Sequence, residues 1–413
     1  MKIAYFLNEF PSLSETFILN QITGLLDMGH EVDIFSRRQG NMQKVHNEVI
    51  RFDLLKHTTY LPPIPRNRVL RAIEGSFLIM RNLHVRPGHI LNSLNFFRFG
   101  KEAVSLVTLF QTIPFLNKGP YDVIHCHFGQ NGNLAVRLRE VGVVSGKIVT
   151  AFHGFDLTSH IQKQGPGTYK HLFEEGDLFL PISERWKNRL IELGCKRNKI
   201  RVHRMGIDLS SLKRSEKRDR KKESIIILSV ARLVEKKGIN YGIEAVARLK
   251  NRLKELLYII IGEGIMKNDL VQLIEKNHLQ NNVKLLGWRT RTEIFNIMKN
   301  TDIFLAPSVI SRTGSQEGIP VVLMEAMAHR LPVVASRHSG IPEIVIDGQN
   351  GFLVDERDVA GLADKIECLI ANPEVCHRMG EKGRRLVEKH YDIAKLNQKL
   401  AQIFIEISDH SPN

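Results

Sequence analysis

The chain is poor in cysteine, in tryptophan and in long apolar runs, and it is short of acid relative to base. Its four cysteines, Cys126, Cys195, Cys368 and Cys376, are scattered, without CxxC spacing, which argues against a zinc-ribbon layout and against a disulfide framework. No run of eighteen or more apolar residues occurs, so no membrane-spanning helix is expected. The first residues pass directly into a strand pattern over 2–7 rather than a signal-peptide layout. The expected location is therefore the cytoplasm, either free or peripheral on the inner face of the cytoplasmic membrane. After that strand comes Asn8-Glu9-Phe10-Pro11-Ser12-Leu13-Ser14-Glu15-Thr16, not GxGxxG, which disfavours a dehydrogenase. Lys and Arg number 59 against 44 Asp and Glu, a net charge of +15. That excess speaks of anionic partners and says nothing about fold. No zinc-ligand spacing, RNA-binding signature or basic helix with aromatic platforms points to nucleic acid, and none is expected as a partner.

What the 413 residues do show is strand–helix alternation, twice over. In the first half, strands are expected over 2–7, 31–35, 122–126, 147–152 and 178–180, with helices over 15–28 and 183–193. In the second half, strands over 225–230, 257–261, 283–286 and 303–306 alternate with helices over 238–253, 267–278 and 291–299. The fold class is α/β: two doubly wound parallel sheets, whose ligands sit at the carboxyl ends of the strands. A charge run over 213–222 reads as a solvated segment near the join.

One apolar segment contains two carboxylates: Glu317-Gly318-Ile319-Pro320 leads into a helix over 321–328 that carries Glu325, followed by a strand over 331–335. Pro320 reads as a first-turn proline, whose missing N–H is harmless there. Eight residues at about 1.5 Å each separate the two acids by roughly 12 Å along the axis. That span suits hydroxyls at opposite ends of a nucleotide sugar better than one reacting bond. The helix N-terminus between them offers N–H groups and a positive dipole to a pyrophosphate. The plain alternative is a helix-start charge and a salt-bridged rim residue.

Other candidates lie at strand ends. Arg232 and Lys237 follow the strand over 225–230 and could clamp a diphosphate, or simply form a charged loop. Gly262 and Gly264 permit close backbone approach to a ligand, or make an ordinary turn. His153 ends the strand over 147–152 and could donate to a sugar hydroxyl, with Asp156 able to bind hydroxyls. Ser14 is a candidate helix cap or ligand contact. His125 and His127 are expected on opposite faces of their strand, and no metal site is expected from them.

These residues carry a resemblance. Arg232 to Gly238, Gly262 to Gly264, Glu317 to Glu325 with Ala326-Met327-Ala328, Leu331-Pro332-Val333-Val334-Ala335 and Ser339-Gly340-Ile341-Pro342-Glu343 resemble the retaining family-four glycosyltransferases of the GT-B fold. Phe10 to Phe17 and His203-Arg204-Met205-Gly206-Ile207-Asp208 are similar to the colanic-acid type of bacterial exopolysaccharide enzyme. The resemblance implies two Rossmann-like domains facing a central cleft: residues 1–204 for the acceptor, 205–390 for the nucleotide sugar, and a C-terminal helix within 391–413 packing back toward the first domain. It implies that Arg232 and Lys237 hold the donor diphosphate, with Gly262, Gly264, Gly318, Ile319 and Pro320 around the donor. Glu325 would bind the ribose and Glu317 the transferred sugar, and His153 would lie near the reacting carbon. Ser14, Glu15, His127 and Asp156 are expected to meet the acceptor or sugar. The chain departs from many relatives in having Phe10 to Thr16 in place of a glycine-rich loop, and Met205-Gly206 in place of Asn-Gly.

The reaction implied is transfer of a hexosyl group, with retained configuration, from a nucleotide diphosphate sugar to a polyprenyl-diphosphate-linked saccharide. No cofactor and no metal are expected, because the cations can neutralise the departing diphosphate. Two alternatives are a nucleotide-sugar epimerase on a similar scaffold and a non-catalytic binder of anionic polymer. The stretch 66–101, rich in arginine and apolar groups, is expected either to lie on an anionic inner-leaflet surface or to pack as ordinary helices with solvated arginines.

Overall fold

The computed structural model describes residues 1–12, 15–43, 45–210, 212, 224–250 and 255–409. The strands are β1 Lys2–Phe10, β2 Glu31–Gln39, β3 Thr58–Tyr60, β4 Val123–His127, β5 Lys147–Phe152 and β6 Leu178–Pro181 in the first lobe. The second lobe has β7 Ile225–Val230, β8 Leu256–Ile261, β9 Val283–Gly287, β10 Ile303–Ala306, β11 Val333–Ser336 and β12 Gly351–Val354. All pair in parallel, in the orders β3-β2-β1-β4-β5-β6 and β12-β11-β10-β7-β8-β9. Counted from each lobe's own first strand, both sheets have the order 3-2-1-4-5-6, the doubly wound arrangement with a crevice at the central switch point.

A parallel sheet covered on both faces needs continuous apolar strands, because helices exclude water from both sides. Ile3 to Leu7 of β1 are each at most 1% exposed, so the central strand lies in the core of its lobe. The helix Thr16–Asp27 covers this sheet through Phe17, Ile18, Leu19, Ile22 and Leu25. The helix Glu184–Glu192 starts where Ser183 accepts a hydrogen bond from the N–H of Trp186 at 3.3 Å.

The last helix, Ile393–Asp409, crosses to the first lobe. Asn397 Nδ2 donates to the carbonyl of Asn20 at 2.9 Å, and Arg201 pairs with Glu406. A backbone bridge between Ile207 and Asp392 marks the point where this return begins, with Ile207 N–H on Tyr391 O at 2.9 Å. The charge run 213–222 and Ser14 lie outside the described residues.

Candidate functional site between two sheet edges

Glu317 is held from every side. The loop after β10 brings it against the short helix Glu235–Lys237, where Lys237 Nζ stands 2.8 Å from Oε2 and Lys236 Nζ 2.9 Å from Oε1. Its backbone N–H donates to His338 Nε2 at 3.1 Å, and its carbonyl accepts from Ser339 Oγ at 2.6 Å. Because His338 Nε2 accepts, its Nδ1 carries the proton that reaches Glu356 Oε1 at 2.6 Å. Burial pushes the Glu317 carboxyl up, but Lys237 and Lys236 outweigh it and hold its pKa at about 2. Lys237 was expected on the donor diphosphate; here its ammonium is parked on the acid. Lys236, His338 and Glu356 carried no sequence expectation.

The helix begins at Val321, with Pro320 as its extended cap residue (ψ 123°) rather than in its first turn. The helix therefore starts one residue beyond the proline, where ψ returns to helical values. Ile319 is buried and Gly318 half-buried beneath this cap. On the helix, Glu325 meets Arg291, whose Nε lies 3.6 Å away on the helix Arg291–Met298. Burial raises the Glu325 pKa to about 7, against the pull of Arg291. The two acids thus differ in kind: one is firmly charged, the other poised near neutrality.

Arg232 is exposed and forms no ion pair among the described residues. The glycines after β8 explain its position. A Cβ on Gly262 would fall 1.8 Å from the carbonyl of Ala231, and one on Gly264 2.3 Å from that of Leu233. Gly262, at φ +139°, and Gly264 therefore let the two loops meet, with Leu233 N–H on Glu263 O at 2.9 Å. In the structure these glycines approach the backbone that carries Arg232.

The backbone of His153 meets the Glu317 loop from the other lobe. A Cβ on Gly318 would come 2.8 Å from the His153 carbonyl, so the loop after β5 and the loop before the Glu325 helix touch. His153 Nε2 and His127 Nδ1 share a hydrogen bond of 2.9 Å. Its ring packs on Phe17 and Phe128, and burial lowers its pKa to about 3, so the imidazole is neutral. His127 is fully buried behind it. The expectation that His125 and His127 point to opposite faces fails: residues two apart on a strand share a face. Their rings are 4.7 Å apart.

Asp156, expected among the hydroxyl-binding groups, is completely enclosed. Its Oδ1 accepts from the N–H groups of His153 and Gly154 at 3.0 and 2.9 Å, and Oδ2 from Gly129 at 3.2 Å. It shapes the His153 loop rather than presenting oxygens to the cleft. Glu15 stands beside Glu9; burial and that second acid raise its pKa to about 7.

A further link closes the cleft. Glu343 of the second lobe accepts from the backbone N–H groups of Glu184 and Arg185 at 3.0 and 2.9 Å, at the N-terminus of the helix Glu184–Glu192. Arg185 also donates to Gln316 Oε1 at 3.0 Å, next to Glu317. Two sheet edges are thereby joined around cations, a charged acid and a neutral histidine. Such a set of charges can stabilise a polar ligand whose negative charge grows at one point.

Comparison with known proteins shows the family and the fold. The family model "Glycosyltransferase Family 4" matches residues 14–211, and "Glycosyl transferases group 1" matches 211–386. WcaL of Escherichia coli (strain K12), assigned as a colanic acid biosynthesis glycosyltransferase, is 37% identical over 98% of this chain and 99% of its own. The amylovoran biosynthesis glycosyltransferase AmsK of Erwinia amylovora is 40% identical over 88% of this chain and 89% of its own. Among solved structures, Anabaena Alr3699/HepE in complex with UDP and glucose superposes with a TM-score of 0.71 at 18% identity, covering 98% of this chain and all of that one. The chain belongs to the family-four glycosyltransferases of the GT-B fold, and with those relatives to the glycosyltransferases of exopolysaccharide biosynthesis.

Proposed function

We propose that the protein transfers a hexosyl group from a nucleotide diphosphate sugar to a lipid-linked saccharide, with retention of configuration and without a metal. The observation that carries this reading is the placement of Glu317 between Lys236 and Lys237, one lobe across from His153. Arg232 and Lys237 take the diphosphate, and donor binding draws the Lys237 ammonium from Glu317 toward the phosphate. Glu325 accepts from the ribose hydroxyls and Glu317 from hydroxyls of the sugar. A nucleotide donor also fits the fold likeness to a protein solved with UDP and glucose.

In the reaction, the bond between the anomeric carbon and the diphosphate oxygen breaks as the acceptor oxygen bonds to the same face of that carbon. The acceptor proton passes to the departing phosphate oxygen, so no protein base is needed. The cations stabilise the charge that grows there.

The test is to incubate the purified protein with a panel of nucleotide sugars, alone and with a polyprenyl-diphosphate saccharide, and to read products by mass. A saccharide lengthened by one hexose, formed only when both substrates are present, is expected. Altered sugar released without acceptor would instead make the protein an epimerase.

A further inference from the structure

The helix Arg68–Asn82 turns an apolar stripe to the outside. Val69, Ile73, Phe77 and Met80, spaced by four, four and three residues, share one face and are between 56% and 71% exposed. The opposite face packs inward: a Cβ on Gly75 would lie 2.5 Å from Leu106 Cδ1, so the helix is seated closely on the lobe. Nothing about the segment is frayed. Asn67 caps its start, accepting from Val69 and Leu70 at 2.8 and 3.2 Å. Further along the chain, the short helix Phe96–Phe99 is capped by Asn95 and carries Phe97, which is 98% exposed.

Charge surrounds these apolar groups. Residues 66–101 contain six arginines and one lysine against a single acid, Glu74, a local excess of six positive charges. Arg66, Arg68, Arg81, Arg86 and Arg98 are all exposed. A surface helix of a soluble protein ordinarily shows water its polar face, and an apolar patch rimmed by polar groups marks an interaction site.

We infer that this face is a docking surface for an anionic lipid bilayer, with the stripe and Phe97 entering the headgroup region and the arginines on the lipid phosphates. A helix with aromatic and aliphatic groups on one side and arginine beside them is suited to lie in the plane of that interface. The inference deepens the proposed reaction by placing its lipid-linked acceptor, and it rests on that reading for its purpose only. The geometry fits: Tyr60, at the end of β3, bonds the carbonyl of Phe10 at 3.1 Å on the cleft edge of the sheet. Eight residues later the stripe helix begins, within roughly 26–29 Å of extended chain. A membrane under this helix therefore presents acceptors close to the cleft.

The experiment is sedimentation of the full chain with vesicles of phosphatidylglycerol mixed into phosphatidylcholine, and with pure phosphatidylcholine. Two variants are compared: Ile73→Glu with Phe77→Glu, and Arg66→Glu with Arg68→Glu and Arg81→Glu. All five positions are on the surface; circular dichroism melts check that the first lobe, which carries them, is intact, and UDP and GDP thermal shifts check the second. The wild type is expected to bind the anionic vesicles at least about tenfold better than the neutral ones, less so in high salt, and each variant to lose at least about tenfold. Wild type left in the supernatant, or variants that pellet like wild type, overturns the inference. So does a dimer, seen by light scattering, that Ile73→Glu with Phe77→Glu dissociates, since the stripe then belongs to a second copy. Failure of nucleotide binding with vesicle binding intact would count against the transfer reaction and leave the docking surface standing.

Discussion

Lys237 Nζ lies 2.8 Å from Glu317 Oε2, while the neighbouring Lys236 meets the other oxygen of the same carboxylate. Two cations on one acid, at the edge of a sheet, form a charge store that a diphosphate can enter by exchange. Lys237→Ala leaves Glu317 paired through Lys236, so melting should change little. Transfer, by contrast, should fall about 10²–10³-fold in kcat/KM, the loss typical of one donor to a developing charge. Full turnover in this variant would remove Lys237 from the phosphate site.

The same pair shapes acid stability. Burial raises the Glu317 pKa and the two lysines lower it, to a net value of about 2 against 4.5 unfolded. A depressed pKa contributes stability that is complete above 4.5 and is lost as pH falls through about 2. Thermal melts of wild type should therefore decline more steeply over that window than those of Glu317→Gln. Parallel curves would mean that the pairing is absent in solution.

Glu325 should behave oppositely. Its pKa is raised by burial to about 7, so the native state keeps a proton that the unfolded chain has lost. The stability this confers is present below 4.5 and disappears as pH rises through 7. If the ribose hydroxyls donate to this carboxylate, nucleotide binding favours its ionised form. Affinity measured by calorimetry should then rise from one unit below pH 7 to one unit above it, with proton release. Glu325→Gln should show neither effect.

Gly318 has no room for a side chain. Its Cβ would press on the His153 carbonyl and Ile182 Cδ1, both at 2.8 Å. Overpacking of this size costs about 1–3 kcal/mol where it cannot relax, and here relaxation means moving the lobes apart. Gly318→Ala should lower kcat at least about tenfold while leaving each lobe folded, read by steady-state kinetics beside circular dichroism. An unchanged kcat would show that the two loops need not touch during turnover.

Much of the fold was legible because parallel strands buried on both faces leave unbroken apolar runs. β5, β7 and β10 lie over the residues their runs indicate. β3 and β12 escaped: one is a three-residue edge strand, Thr-Thr-Tyr, with no apolar run, and the other opens on a glycine, which cuts its apolar run to Phe352-Leu353-Val354. The site was legible where charge stands in an apolar segment, as at Glu317 and Glu325. Partners brought from elsewhere in the chain left no local mark: Arg291 reaches Glu325, and Glu356 reaches Glu317 through His338. The only hint of His338 was its place directly before Ser339-Gly340-Ile341-Pro342-Glu343. The inward turn of Asp156 depends on three backbone N–H groups, which residue types do not reveal.

The most direct test of the account compares the affinity of a nucleoside diphosphate with that of its nucleoside, in wild type and in Arg232→Ala with Lys237→Ala. Two charge-assisted contacts at about 1.5–3 kcal/mol each give the diphosphate an advantage of about 10²–10⁴-fold in wild type. That advantage should shrink to a few fold in the double variant, with nucleoside affinity unchanged. Equal binding of diphosphate and nucleoside by wild type, or an advantage that survives loss of both cations, would contradict it.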